Sequence, residues 1–162
     1  MSTTIAPVPL TTPVVPEAIK VSPNEKLLFA FNGRGNQVYE WQPKKNDPTQ
    51  YGWDHTPEAD LFDFEGNKVG RHYGGPTWES IDGSKVVCDI IADVPSTEAN
   101  AAPWLLLTVK SHEGQGIFGA VTSIRRLETV GGAEPSPNAS KPKPGQKVPV
   151  PYTATYYCYG SK

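Results

Sequence analysis

From residue 26 onward, short apolar runs alternate with glycine-rich turns. The runs are "KLLFAF" (26–31), "NQVYEWQ" (36–42), "ADLFDF" (59–64), "KVGRHY" (68–73), "PTWES" (76–80), "SKVVCDIIA" (84–92), "PWLLLTVKS" (103–111), "AVTSIRRLETV" (120–130) and "YTATYYCYG" (152–160). Between them stand "GRGN", "FEGN", "YGGP", "DGS" and "HEGQG". In "DFEGNK" and "ESIDGSK" the flanks alternate apolar and polar residues, which predicts hairpins. Val86, Cys88 and Ile90 share one predicted face, and Val87, Asp89 and Ile91 the other. No amphipathic helix competes, so the pattern predicts an all-β antiparallel sandwich or barrel of about nine strands.

Proline sets the boundaries. Eleven of the 17 prolines fall in 1–23 and 135–151. Each fixes φ and lacks a backbone donor, so neither segment is expected as a central strand. Residues 1–23 read as an extended arm, 24–162 as a single β domain, and 131–151 as a long surface loop. That loop holds Asn138-Ala139-Ser140, a formal N-glycosylation acceptor.

The 162 residues suit one domain. Lysine plus arginine number 15 against 17 acids, a net charge of −2 that gives no reason to expect nucleic acid as a partner. No apolar run reaches the length of a membrane span. The N-terminus lacks the basic start and apolar block of a secretory signal, which leaves a cytoplasmic chain or a mature secreted one. Cys88 and Cys158 lie inside β runs and read as buried small hydrophobes, with a cross-strand disulfide left open.

Candidate chemistry is sparse, and no cofactor is called for. "GQGIFGA" (114–120) fits the dinucleotide fingerprint, but no βαβ units follow it, so it reads as a glycine hairpin turn. His55, His72 and His112 lack metal-site spacing. The aromatics carry more. Tyr51, Trp53, Tyr73, Trp78 and Trp104 lie in or beside turns and strand ends, where flat rings can stack on sugars. With His72 and Glu79 they form the expected ligand-binding set of a non-enzymatic binding or surface-associated protein, carbohydrate being the leading ligand. The alternative is a hydrolase or lyase with His72 as base and Glu79 or Asp82 beside it. A third reading is an assembly protein that oligomerises through residues 1–23.

The blocks "TPEADLFDFEGNKVGRHYGGPTWESIDGSKVV", "APWLLLTV", "GIFGAVTSIRRLETVGGAEP" and "VPVPYTATYYCY" resemble, in order, the bacterial and fungal family catalogued as domain of unknown function 3455. The resemblance covers about residues 20–160. It implies a pattern that includes His72, Tyr73, Gly75, Pro76, Thr77 and Trp78, then Pro103-Trp104, Arg126, Gly131-Gly132 and Tyr152-Thr153-Ala154. It implies no activity. Many relatives are secreted and carry cysteines near Tyr39 and after Gly132; here the cysteines stand elsewhere, which departs from that pairing and favours a reducing compartment. Some fungal relatives carry a malate dehydrogenase label, an activity that the failed dinucleotide motif argues against.

Overall fold

The computed structural model describes residues 14–136 and 142–162. The Asn138-Ala139-Ser140 acceptor and most of the proline-rich arm lie outside them. Among the described residues eight antiparallel strands close into one up-and-down barrel: β1 (Glu25–Pro43), β2 (Tyr51–Phe62), β3 (Lys68–Tyr73), β4 (Thr77–Ser80), β5 (Lys85–Val94), β6 (Trp104–Glu113), β7 (Ser123–Gly131) and β8 (Lys147–Ser161). Each strand pairs with the next, and β8 returns to β1, from Glu25↔Ser161 to Glu40↔Lys147. Eight strands replace the expected nine because "KLLFAF" and "NQVYEWQ" form one 19-residue strand. The glycines of "GRGN" lie inside that strand rather than in a turn. At Gly33 an added Cβ would stand 2.6 Å from the Tyr156 ring, so glycine leaves room for a large aromatic in the barrel.

The period of two sorts the side chains. Phe31, Leu61, Trp78, Val86, Leu107, Ile124 and Tyr156 point inward and fill the barrel. A second apolar cluster, with Trp104, Leu106, Leu127, Tyr157 and Tyr159, lies on the outer wall under Ile19. Ile19 belongs to a short 3-10 turn, Glu17–Ile19, and is fully buried. The described part of the N-terminal segment is therefore a cover for its own barrel. Arg125 holds it: Nη1 donates to Ile19 O at 3.4 Å while Nε donates to Tyr159 Oη at 3.0 Å.

The proline-rich segment needs correction. Lys147–Pro151 is the first part of β8, not loop. There β8 pairs with β1 alone, since its pairing with β7 begins at Gly131↔Tyr152. Pro149 and Pro151 thus lie on a local sheet edge, where a missing donor costs no ladder bond.

Connections alternate between the two ends of an up-and-down barrel. The end bearing turns 63–67 and 81–84 is plugged by "GQGIFGA", whose Ile117–Ala120 forms a 3-10 turn rather than a simple hairpin. Asp82 Oδ2 accepts from Ile117 N at 2.8 Å, and Ser84 Oγ accepts from Phe118 N at 3.2 Å. Phe118 enters the core edge-on to Phe31, with ring centroids 5.9 Å apart. Cys88 and Cys158 are free and buried in the same core. Burial pushes the Cys88 thiol up to about 12 and the Cys158 thiol well above its ordinary value.

Removing the plug side chain should be costly. Phe118→Ala is expected to lower the unfolding free energy by about 3–5 kcal/mol in equilibrium urea denaturation. Val130→Ala, at an exposed position, should shift it by less than about 0.5 kcal/mol.

Candidate ligand site at the open end of the barrel

At the opposite end the described residues leave a cavity. It lies between the β3–β4 turn and the inner faces of β1, β2, β5, β6 and β7, with a volume of about 190 Å³. The turn is Gly74-Gly75-Pro76, as the sequence predicts. Gly75 has φ +144° and an added Cβ would meet Thr77 Oγ1 at 2.4 Å, so only glycine fits.

The cavity floor is aromatic. His72 on β3 and Trp78 on β4 are cross-strand partners. Their rings stack with centroids 4.1 Å apart and planes 18° apart. Tyr156 stands edge-on to both, at 5.2 and 5.6 Å. His72 Nδ1 is 2.8 Å from Thr77 O. A carbonyl only accepts, so Nδ1 carries the proton and Nε2 is left as an acceptor. Burial, first, and then the nearby Arg126 charge push the His72 pKa down to about 3, against the raising effect of the Thr77 bond. The ring is neutral at any ordinary pH.

Arg126 on β7 enters the same cavity and is 5% exposed. Consecutive arginines on a strand face opposite ways: Arg125 holds the outer cover and Arg126 turns inward. Arg126 Nε and Nη2 donate to Pro103 O at 3.1 and 2.8 Å. Its charge also lowers the pKa values of Tyr39, His55, Tyr152 and Tyr156, although burial outweighs it at the three tyrosines and raises them. Gln37 on β1 is 1% exposed, and neither atom of its carboxamide has a protein partner. Trp78 Nε1 is likewise buried without an acceptor. Leu105, Leu107, Pro57 and Ile90 complete the walls.

The residues expected from the sequence separate into five places. His72 and Trp78 meet in the cavity. Tyr73 and Glu79 lie on the outer face, where Tyr73 Oη donates to Glu79 Oε1 at 2.6 Å and Arg71 pairs with the same carboxylate. Trp104 belongs to the outer cluster beneath Ile19. Tyr51 and Trp53 lie at the tip of the β1–β2 hairpin beside Trp41, in an open groove that also includes Lys44, Lys45 and Asp54. Asp82 anchors the plug at the far end, so His72, Glu79 and Asp82 do not converge. Arg126 and Gln37 were not singled out by chemistry in the sequence. The signal available was alternation: Ile124 faces the core, so Arg126, two residues on, must face it too.

Among the described residues no cluster of three or more His, Cys, Asp or Glu could hold a metal ion, and no helix is long and apolar enough to cross a membrane. A family model described as "Protein of unknown function (DUF3455)" matches residues 21–160. A search of curated proteins and one of solved structures gave no match.

The buried neutral ring has a measurable consequence. Below a pH of about 6.5 the unfolded chain protonates this histidine, while the folded protein does so only near 3. Its contribution to stability is therefore complete above pH 6.5 and is lost progressively as pH falls toward 3. In a histidine NMR titration, the His72 signals should stay unshifted between pH 5 and 8.

Proposed function

The chain belongs to this family of unknown function, and from that premise we propose that it is a non-enzymatic binding protein that takes a small molecule into the open end of its barrel. The observation that carries the reading is Gln37, a fully buried carboxamide on the cavity wall whose two polar atoms have no partner in the protein. Buried polar groups are ordinarily paired, because a lost hydrogen bond with water is not otherwise recovered. A mouth closed below and open above is also where β-barrels hold ligands. An apolar wall with a few convergent polar groups suits binding. The separation of His72 from Glu79 and Asp82 leaves it without a carboxylate partner for proton transfer.

For carbohydrate, the groove at the hairpin tip supports a second reading. The hairpin-tip groove offers Trp41 and Tyr51 stacked at 6.3 Å and 23°, with Lys44, Lys45 and Asp54 around them. An exposed Tyr51 ring beside a half-buried Trp41, flanked by polar groups, favours a glycan there, as a reading separate from the cavity.

Ile90 is 47% exposed at the cavity mouth. Monocyclic probes such as benzyl alcohol, benzamide and benzoate should quench or shift tryptophan fluorescence and show saturation transfer by NMR. Ile90→Trp should block this while the circular dichroism spectrum is kept. No binding by any probe, or unchanged binding in Ile90→Trp, overturns the cavity reading. For the groove, Trp41→Ala should abolish retention on immobilised polysaccharides; retention equal to wild type removes the glycan reading.

A further inference from the structure

The polar groups of the cavity are unbalanced, and the imbalance identifies a ligand class. Arg126 brings a full positive charge into the barrel. Its hydrogen-bond partners, Pro103 O and the Tyr156 hydroxyl, are neutral, and no carboxylate of the described residues stands within ion-pair distance. A buried charge is ordinarily matched by a counter-charge, because desolvation is otherwise uncompensated. The guanidinium has five N–H donors and two are used on that carbonyl. Gln37 Nε2 and Trp78 Nε1 add buried N–H donors without acceptors. Against these donors the cavity sets neutral acceptors, Gln37 Oε1 and the His72 Nε2 lone pair among them, and its lining holds no carboxylate.

We propose that the cavity binds a small monocarboxylate with a compact apolar body, the carboxylate received by the Arg126 guanidinium. The proposal rests on the preceding reading that the cavity is a ligand site. Charge selects an anion, and donor excess selects an acceptor-rich group. A single guanidinium balances one negative charge, and its planar fork matches the two coplanar oxygens of a carboxylate. The walls of Trp78, Leu105, Leu107 and Pro57 then cover the body. They offer nothing to the hydration of inorganic phosphate, which also carries more charge than Arg126 can balance. Size agrees: about 190 Å³ is somewhat larger than the cavity of about 150 Å³ that holds benzene in an engineered protein core. One six-membered ring with one carboxylate is the scale of the ligand.

The test compares isosteres by isothermal titration at pH 7.5, using the full chain with benzoate, benzamide and inorganic phosphate as probes. Wild type should bind benzoate more tightly than benzamide and should not bind phosphate. Arg126→Met, which keeps the apolar stem, should weaken benzoate by about thirtyfold or more and leave benzamide little changed. Should Arg126→Met lose the near-ultraviolet dichroism of the folded protein, Arg126→Lys carries the test. It keeps the charge without the fork, so it should retain a reduced preference for benzoate. Gln37→Leu removes a neutral donor and should weaken benzoate less than Arg126→Met does. Benzamide binding as tightly as benzoate to wild type overturns the anion assignment while the cavity reading stands. Phosphate binding in preference to benzoate overturns the carboxylate assignment. If neither ring compound nor phosphate binds, the cavity reading falls with the proposal.

Discussion

Pairing of β8 with β1 is the constraint on which the molecule depends. It runs along most of a 19-residue strand and converts a twisted antiparallel sheet into a barrel with no free edge over its central length. Closure creates an inside. Every strand then divides its residues by parity, so one face fills the barrel and the other meets solvent or the N-terminal cover. The glycines that thin β1, and the proline-bearing start of β8 where the sheet has an edge, are local adjustments to that closure. The plug follows from it too. An open barrel would drain its core to water at both ends, and Phe118 with its Asp82 and Ser84 anchors closes one of them.

Much of this was legible in the sequence. The runs from "ADLFDF" to "YTATYYCYG" correspond to β2 through β8, and both "DFEGNK" and "ESIDGSK" form turns between paired strands. The Gly74-Gly75-Pro76 corner follows from backbone physics alone. Two features were not legible. Whether "GRGN" breaks a strand or thins it depends on the neighbour that packs against it, here Tyr156 from the far end of the chain. Likewise, proline excludes a strand interior only where both edges are paired, and which edge is paired is a property of the assembled sheet.

The site was half visible. His72 and Trp78 stand in a conspicuous block and meet by direct cross-strand register. Tyr73 and Glu79 are their immediate neighbours in sequence and lie on the other side of the wall, because parity on a strand outranks proximity. Residues that chemistry alone would group are therefore separated by the sheet. Arg126 shows the converse. As half of an Arg-Arg pair in a strand it reads as surface charge, yet alternation requires one of the two to face inward when the flanking Ile124 and Leu127 are both buried. The outer arginine found an apolar cluster and a chain segment to fasten. The inner one found a carbonyl and a cavity.

Buried donors of this kind oppose folding, and their placement says how the barrel tolerates them. The tight apolar core lies toward the plugged end, around Phe31, Phe118 and Ile124, and carries the stability. Gln37 and Arg126 are gathered toward the open end, next to the turn that only glycine can make. Water or a solute can approach there without crossing the core. Stabilising packing and unsatisfied polarity are thus segregated along the barrel axis. A protein under selection for stability alone would replace a partnerless buried carboxamide with leucine, which fills similar volume at no polar cost. Keeping Gln37 and Arg126 on the walls of one cavity, with neutral His72 as the floor, is the arrangement expected when the missing partners arrive with a ligand.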